Sequence, residues 1–317
     1  MKLLLSSVAL FALFHVIAGH AGHNHGHVRK TVRIPTKQLN DGNHIPTLGL
    51  GTFGFGDIPK IRQAINWAVE AGYRHIDTAT FYRNEEEIGK GISDVLKKGL
   101  VRREDLFITT KLWDDKHAKD QVVPALRESL AKLGLQYVDL YLIHFPEATN
   151  ADGSPADIDY LETWQGMEET KKLGLAKSIG VSNFNIEQID RIKAHSKVVP
   201  AVNQIEVHPS KTQEKTIKDC FERNIAVVAF SPFGVFVSRR KGPSQEDPKI
   251  KNIAQKYGKT VSQVLLRYLL DRDLIPIPKS TNENRIKENI NVFDFHLTPE
   301  EISSISSYNT NTSLWWS

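Results

Sequence analysis

From residue 48 onward the chain alternates short apolar runs with longer amphipathic ones, and this rhythm limits the possible folds more than any other feature. The apolar runs are Leu48–Gly51, His75–Asp77, Leu106–Lys111, Val138–His144, Ala176–Val181, Ala201–Glu206, Ala226–Phe230 and Ile275–Ile277. Helical patterns between them include Lys60–Ala71, Glu85–Lys98, Ala118–Leu133, Tyr160–Leu173, Ile186–His195, Thr212–Arg223 and Val261–Leu270. Strands that alternate with helices form βαβ units, because parallel neighbours need a long crossover. Eight such units in roughly 270 residues predict an α/β chain closed as a (β/α)8 TIM barrel. The rival is a doubly wound sheet, which usually carries a Gly-rich phosphate turn directly after its first strand. Leu48-Gly49-Leu50-Gly51-Thr52-Phe53-Gly54 has the glycines, but the next helical pattern starts too late. Ahead of the first strand, Gln38–Ile45 reads as a hairpin around Asp41-Gly42, an N-terminal cap for one mouth of the barrel. No linker divides this body, so residues 37–317 are expected to form one domain.

The amino terminus is of a different kind. Lys2 precedes an apolar stretch, Leu3–Ile17, interrupted only by Ser6, Ser7 and His15, and then Ala18, Gly19, Ala21 and Gly22. One charge, a short apolar run and a small-residue exit form the pattern of a secretory signal peptide, expected over residues 1–20 with cleavage between Ala18 and Gly22. The run is short for a membrane span. The expected product is a secreted chain without a membrane segment, or a cytoplasmic one if the leader is not used; a buried or frayed helix is the alternative reading. Residues 21–36 read as a flexible His-rich tail. Imidazoles can collect zinc or copper, but this Gly-rich tract lacks periodicity, so no metal site is assigned. The chain's net charge of +4 also belongs here, since Lys2, Arg29, Lys30, Arg33 and Lys37 face no acid before residue 41. The body is therefore close to neutral and carries no nucleic-acid footprint. Cys220 is the lone cysteine and reads as an inert helix residue, and Asn311-Thr312-Ser313 would be glycosylated only on export.

A TIM barrel places its active site at the carboxyl ends of its strands. Those ends carry Asp77, with Tyr82 shortly after it, then Lys111 followed by Trp113, and then His144. An acid, a phenol, an ammonium and an imidazole are thus expected at one mouth. Such a set can stabilise negative charge that develops on a reacting oxygen and then protonate it. Tyrosine's reference pKa of about 10 suits that task poorly at neutral pH. Lys111 is expected to lower it, with Asp77 keeping Lys111 charged. The plainer alternatives are a buried Asp77–Lys111 ion pair and a satisfied core histidine.

Gly72-Tyr73-Arg74-His75-Ile76-Asp77-Thr78-Ala79, Ile143-His144-Phe145-Pro146, Gly180-Val181-Ser182-Asn183-Phe184 and Ile277-Pro278-Lys279-Ser280 occur in order. On these motifs the chain resembles the aldo-keto reductases over essentially all of residues 37–317. The resemblance implies a catalytic tetrad of Asp77, Tyr82, Lys111 and His144. It implies NADPH/NADP+ as cofactor, with Ser182, Asn183 and Gln204 on the nicotinamide carboxamide and Phe230 stacked on the ring. Lys279, Ser280, Asn282 and Arg285 match the 2′-phosphate pocket, and Glu288 and Asn289 reach the adenine. Thr52, Asp77, Ser231, Phe233 and Thr281 complete the implied cofactor contacts. Arginine's planar fork suits phosphate, which favours NADPH over NADH.

Phe53 and Phe145 stand where many relatives carry tryptophan, while Trp113 is kept. The implied substrate pocket of Phe53, Tyr82, Trp113, His144, Phe145 and Trp315, with Trp316 adjoining, is aromatic and suits a bulky, apolar carbonyl compound. The basic run in Gly234–Lys241 is either a pyrophosphate contact or a solvated loop. The resemblance implies a small-molecule carbonyl substrate, a monomer, and a carboxyl-terminal tail over the active-site mouth. An export leader on such a barrel resembles the secreted ecdysteroid reductases of insects, which makes a 3-ketosteroid such as 3-dehydroecdysone a candidate substrate. Two other classes remain open: a non-catalytic NADP(H)-binding barrel, and a secreted metal-binding protein using the His-rich tail.

Overall fold

Ten strands and ten α-helices are present among residues 32–54, 58–234 and 246–315, which the computed structural model describes. The signal-peptide reading, the His-rich tract, most of the basic loop 235–241 and Trp316 lie outside these residues. Strands β1 (Thr36–Gln38) and β2 (His44–Pro46) form the antiparallel hairpin. Gly42 turns it at φ +87°, a left-handed conformation that glycine adopts at little cost.

The barrel strands are β3 (Gly49–Gly51), β4 (His75–Asp77), β5 (Phe107–Leu112), β6 (Val138–Ile143), β7 (Ala176–Ser182), β8 (Val202–Glu206), β9 (Ala226–Phe230) and β10 (Ile275–Pro276). Each pairs parallel with the next, in chain order. Gly51 closes the ring by bridging to Lys279, and its N–H donates to Pro278 O at 3.0 Å. A Cβ built on Gly51 would lie 2.6 Å from Ile277 O, so the seam needs glycine there. The expected strands all form, with ends shifted by at most one residue. His144, for example, falls just past β6 rather than within it.

The helices are α1 (Ile58–Ala71), α2 (Glu85–Lys97), α3 (Lys119–Leu133), α4 (Tyr160–Lys172), α5 (Ile186–His195), α6 (Glu214–Glu222), α7 (Pro248–Tyr257), α8 (Val261–Leu270), α9 (Glu283–Asn289) and α10 (Pro299–Ser306). Of these, α7, α9 and α10 are not among the periodic patterns read from sequence. Each is announced by its cap instead: Asp247, Asn282 and Thr298 each accept a backbone N–H, and proline opens α7 and α10.

The main core lies between strands and helices, as apolar faces such as Ile61, Ile65 and Ile92 pack onto the strands' outer side. A smaller cluster inside the barrel joins Leu39 and Ile45 of the hairpin to Phe107, Leu140, Val228 and Ile275. The hairpin is pinned there by Asn40 Nδ2, which donates to Pro200 O at 2.9 Å, and by Asn43 Nδ2, which donates to Ser178 Oγ at 3.0 Å. The amino-terminal mouth is therefore plugged, which leaves the carboxyl-terminal mouth for chemistry. Cys220 is buried on α6, as a core residue. Among the described residues no helix is long and apolar enough to cross a membrane.

Candidate active site

Adjacent strand ends bring the four expected residues together. Asp77 ends β4, Lys111 sits next to last in β5, and His144 follows β6. A 3-10 turn, Thr80–Tyr82, swings the phenol back over the mouth. Thr80 Oγ1 holds that turn by donating to Lys111 O at 3.2 Å.

Lys111 is the centre of the cluster and is fully buried. Its Nζ donates to Asp77 Oδ1 at 2.6 Å, Thr78 O at 2.8 Å and Tyr82 Oη at 3.2 Å. Burial is the largest single influence and lowers its pKa, but Asp77 and Tyr82 together outweigh it, so the net shift is upward and the ammonium is held charged. The second Asp77 oxygen accepts from Gln204 Nε2 at 2.7 Å.

The expectation for Tyr82 needs correction. Lys111 does pull the phenol pKa down, but burial is the largest influence and Asp77 adds to it, so the net shift is upward. Tyr82 is thus a neutral phenol with a polarised oxygen, not a phenolate. Burial, assisted by Lys111, drives His144 well below the ordinary imidazole pKa, so it too is neutral. Asn183 Nδ2 donates to His144 O at 3.0 Å and fixes that turn, while the buried His144 Nδ1 has no protein partner.

Beside this cluster lies a polar ledge. Ser182 Oγ donates to Gln204 O at 2.9 Å, and Asn183, at φ +62°, donates from Nδ2 to Ser182 Oγ at 3.1 Å. Thr52 Oγ1 donates to Asp77 O at 2.8 Å. Phe230 ends β9 half-buried, followed by Ser231 at φ +51° and by Phe233. At the exit of β10, Lys279 and Thr281 are half-buried and Ser280 is buried. Asn282 and Arg285 are exposed, and Asn282 Oδ1 caps Arg285 N at 3.0 Å. Asn289 is buried, and Glu288 Oε1 accepts from Thr260 Oγ1 at 2.7 Å.

Aromatic rings wall the mouth. Phe53 meets Tyr82 edge-on at 5.0 Å and Trp315 at 5.3 Å, while Phe145 stacks on His144 at 5.0 Å. Trp113 stacks on Phe81 at 3.9 Å. Sequence reasoning missed Phe81, although it directly precedes Tyr82. It also missed Glu206, the buried end of β8, whose only signal was an acid closing an apolar run.

The fold and the mouth define a (β/α)8 barrel with an acid–base cluster at its carboxyl end. Residues 47–310 match the aldo/keto reductase family, and the chain belongs to that family. It is 58% identical to aldo-keto reductase AKR2E4 of Bombyx mori over 290 residues, covering 88% of this chain and 94% of that one. The crystal structure of that reductase in complex with NADP superposes with a TM-score of 0.88 at 57% identity, covering 89% and 95% of the two chains. A second silkworm enzyme, AKR2E5 complexed with NADPH, gives a TM-score of 0.87 at 44% identity, with 89% and 90% covered.

Proposed function

We propose that this chain reduces aldehydes or ketones with NADPH, with Tyr82 as proton donor. The observation that carries this reading is the Lys111 ammonium held between Asp77 and the Tyr82 hydroxyl. The described donors suit a dinucleotide: Ser182, Asn183 and Gln204 form one bonded ledge, Phe230 is a half-buried ring at the end of β9, and half-buried Lys279 and exposed Arg285 follow β10. The NADP and NADPH complexes of the two silkworm relatives support the same cofactor.

When bound, the reduced nicotinamide supplies the hydride to the carbonyl carbon. Ser182, Asn183 and Gln204 would hold its carboxamide, with Gln204 Nε2 already donating to Asp77, and Phe230 would offer its ring an aromatic face. Thr52 keeps the end of β4 in place through Asp77 O. Ser231 and Phe233 would add cofactor contacts. Lys279, Ser280, Thr281, Asn282 and Arg285 would hold the 2′-phosphate end, and Glu288 and Asn289 would reach the adenine. His144, being neutral, donates one N–H to the carbonyl oxygen and fixes the substrate's orientation. As charge builds on that oxygen Tyr82 releases its proton to it, and the adjacent Lys111 ammonium stabilises the phenolate left behind. The aromatic wall excludes water and strengthens these interactions.

The finer reading is a bulky, apolar substrate, for which a 3-ketosteroid such as 3-dehydroecdysone is the test compound. Its support is the ring of Phe53, Phe81, Trp113, Phe145 and Trp315 at the mouth. We also read residues 1–20 as an export leader, residues 21–36 as a tail and residues 37–317 as a monomeric catalytic domain. Sequencing the amino terminus of chain recovered from culture medium tests the leader. NADPH consumption across a carbonyl panel, for the wild type and Tyr82→Phe, tests the activity. Turnover that survives Tyr82→Phe overturns the assignment, and NADPH binding without turnover would indicate a non-catalytic barrel.

A further inference from the structure

We propose that Glu206 is a positioning residue that straps the carboxyl-terminal tail over the mouth and thereby sets how large a carbonyl compound the site admits. The size argument rests on the carbonyl-reductase reading; the strap itself does not.

Glu206 closes β8 and is almost fully buried. Its Oε2 accepts from Ser313 Oγ at 2.6 Å and its Oε1 from Leu314 N at 2.7 Å. From the barrel side, His208 Nε2 lies 3.1 Å from Oε1, and Lys211 Nζ lies 3.3 Å from Oε2. Burial pushes this carboxyl up, yet the hydrogen bonds from His208, Ser313 and the Leu314 N–H outweigh it and leave the pKa at about 2. The carboxylate therefore stays ionised and acceptor-only wherever the fold persists.

The strapped residues adjoin the mouth. Trp315 follows Leu314, and its Nε1 donates to Ser231 Oγ at 2.9 Å. Its ring meets Phe53, which in turn meets Tyr82. Upstream, the tail is tied by Thr310 N and Thr312 N, both donating to Ser210 O. Trp315 is itself 47% exposed, so its own burial holds it only in part. Leu314 also packs against the core, and an ionised carboxylate that takes a side-chain and a backbone donor from the tail adds a directional constraint to that packing. Ser231 is also a proposed cofactor contact, so tail placement and cofactor placement meet at one hydroxyl.

Four full-length variants test this. Ser313→Ala removes the side-chain donor together with the acceptor of Trp315 N, and Leu314→Pro removes the backbone donor together with a side chain packed against the core. Glu206→Ala removes the acceptor, and Glu206→Gln keeps an acceptor oxygen in the same shape. The first readout is hydrogen exchange of residues 310–315 by mass spectrometry. It should show a slow Leu314 amide in the wild type, about 10-fold faster exchange in Ser313→Ala and Glu206→Ala, and an intermediate rate in Glu206→Gln. An unprotected Leu314 amide in the wild type overturns the strap whether or not the enzyme turns over. The second readout is KM at saturating NADPH for a bulky ketone and a small aldehyde. KM for the bulky ketone should change by about 10-fold in the tail variants, while kcat for the small aldehyde stays within about 2-fold. Parallel changes for both substrates, or none for either, overturn the positioning role. A wild type inactive on both substrates counts against the reductase reading and the size role together, and leaves the exchange result to decide the strap.

Discussion

Replacing Lys111 with methionine should separate what the buried ion pair does for stability from what it does for chemistry. The substitution keeps an apolar stem of similar length and deletes the ammonium that bridges Asp77, Thr78 O and Tyr82. Asp77 is then a buried carboxylate with only the Gln204 amide as side-chain donor. Removing one partner of a buried pair costs about 3–5 kcal/mol, because the other charge is left uncompensated. A hydrogen bond to a charged group contributes about 1.5–3 kcal/mol, so the remaining Gln204 bond argues for the lower end. At about 2–4 °C per kcal/mol in a large domain, a loss near 3 kcal/mol lowers Tm by about 6–12 °C. The double variant Asp77→Asn/Lys111→Met leaves no uncompensated ion and should regain most of that stability. It should not regain turnover, since the phenol has lost the cation that stabilises its conjugate base; the expected deficit is about 10²–10⁴-fold. Circular-dichroism melts and carbonyl-dependent NADPH consumption on the same preparations give both quantities. A Lys111→Met protein that melts with the wild type, or a double variant that regains turnover with stability, would refute this account.

Three further outcomes are expected. Burial lowers the pKa of His75 and of His117 to about 4, so the unfolded chain binds more protons below the free imidazole value near 6.5. Stability should therefore fall as pH drops from about 6.5 to 4, by up to about 3 kcal/mol per histidine. Asp114, pushed up to about 7 mainly by burial, works the other way and offsets part of this, so a flat urea-denaturation profile across that window would contradict the two-histidine balance. Gly51→Ala places a methyl 2.6 Å from Ile277 O and should cost about 1–3 kcal/mol by opening the β3–β10 seam, read as a lower denaturant midpoint. Arg285→Ala should raise KM for NADPH by about 10-fold or more and leave KM for NADH unchanged, and equal effects on both cofactors would move the 2′-phosphate elsewhere.

How far the sequence could be read depended on the range of the interactions involved. Barrel strands such as Val138–Ile143 are buried along their whole length, so they appear as unbroken apolar runs. The catalytic candidates were legible because strand ends are a one-dimensional address: Asp77, Lys111 and His144 lie where their runs stop. The helices α9 and α10 were harder to read, because about two turns carry too few apolar residues to show a period and depend on the cap, whereas α7 is as long as α5 and α8 and its periodic face, Ile250, Ile253 and Ala254, was simply missed. The Tyr82 shift was misjudged because a neighbouring charge can be inferred from motif order, whereas desolvation depends on packing by distant segments such as Phe53 and Trp315. Glu206 is a similar case, since its tail partners lie over a hundred residues along the chain.

Burial explains the division of labour within the site. The same enclosure that raises the Tyr82 pKa lowers that of His144, because a low-dielectric mouth disfavours whichever form is charged. Both groups are thereby held as neutral donors over the same pH range, although one is an acid and the other a base. Lys111 escapes that trend because Asp77 lies 2.6 Å away. Asp77 is in turn held on its other oxygen by Gln204, a residue of the proposed cofactor ledge. Lys111, the buried cation of this cluster, thus sits where charge must develop, next to the Tyr82 oxygen that gives up its proton. A tetrad in a wetter mouth would leave His144 free to ionise near neutrality. The neutrality of Tyr82 and His144 is therefore a property of the closed aromatic wall as much as of the four residues themselves.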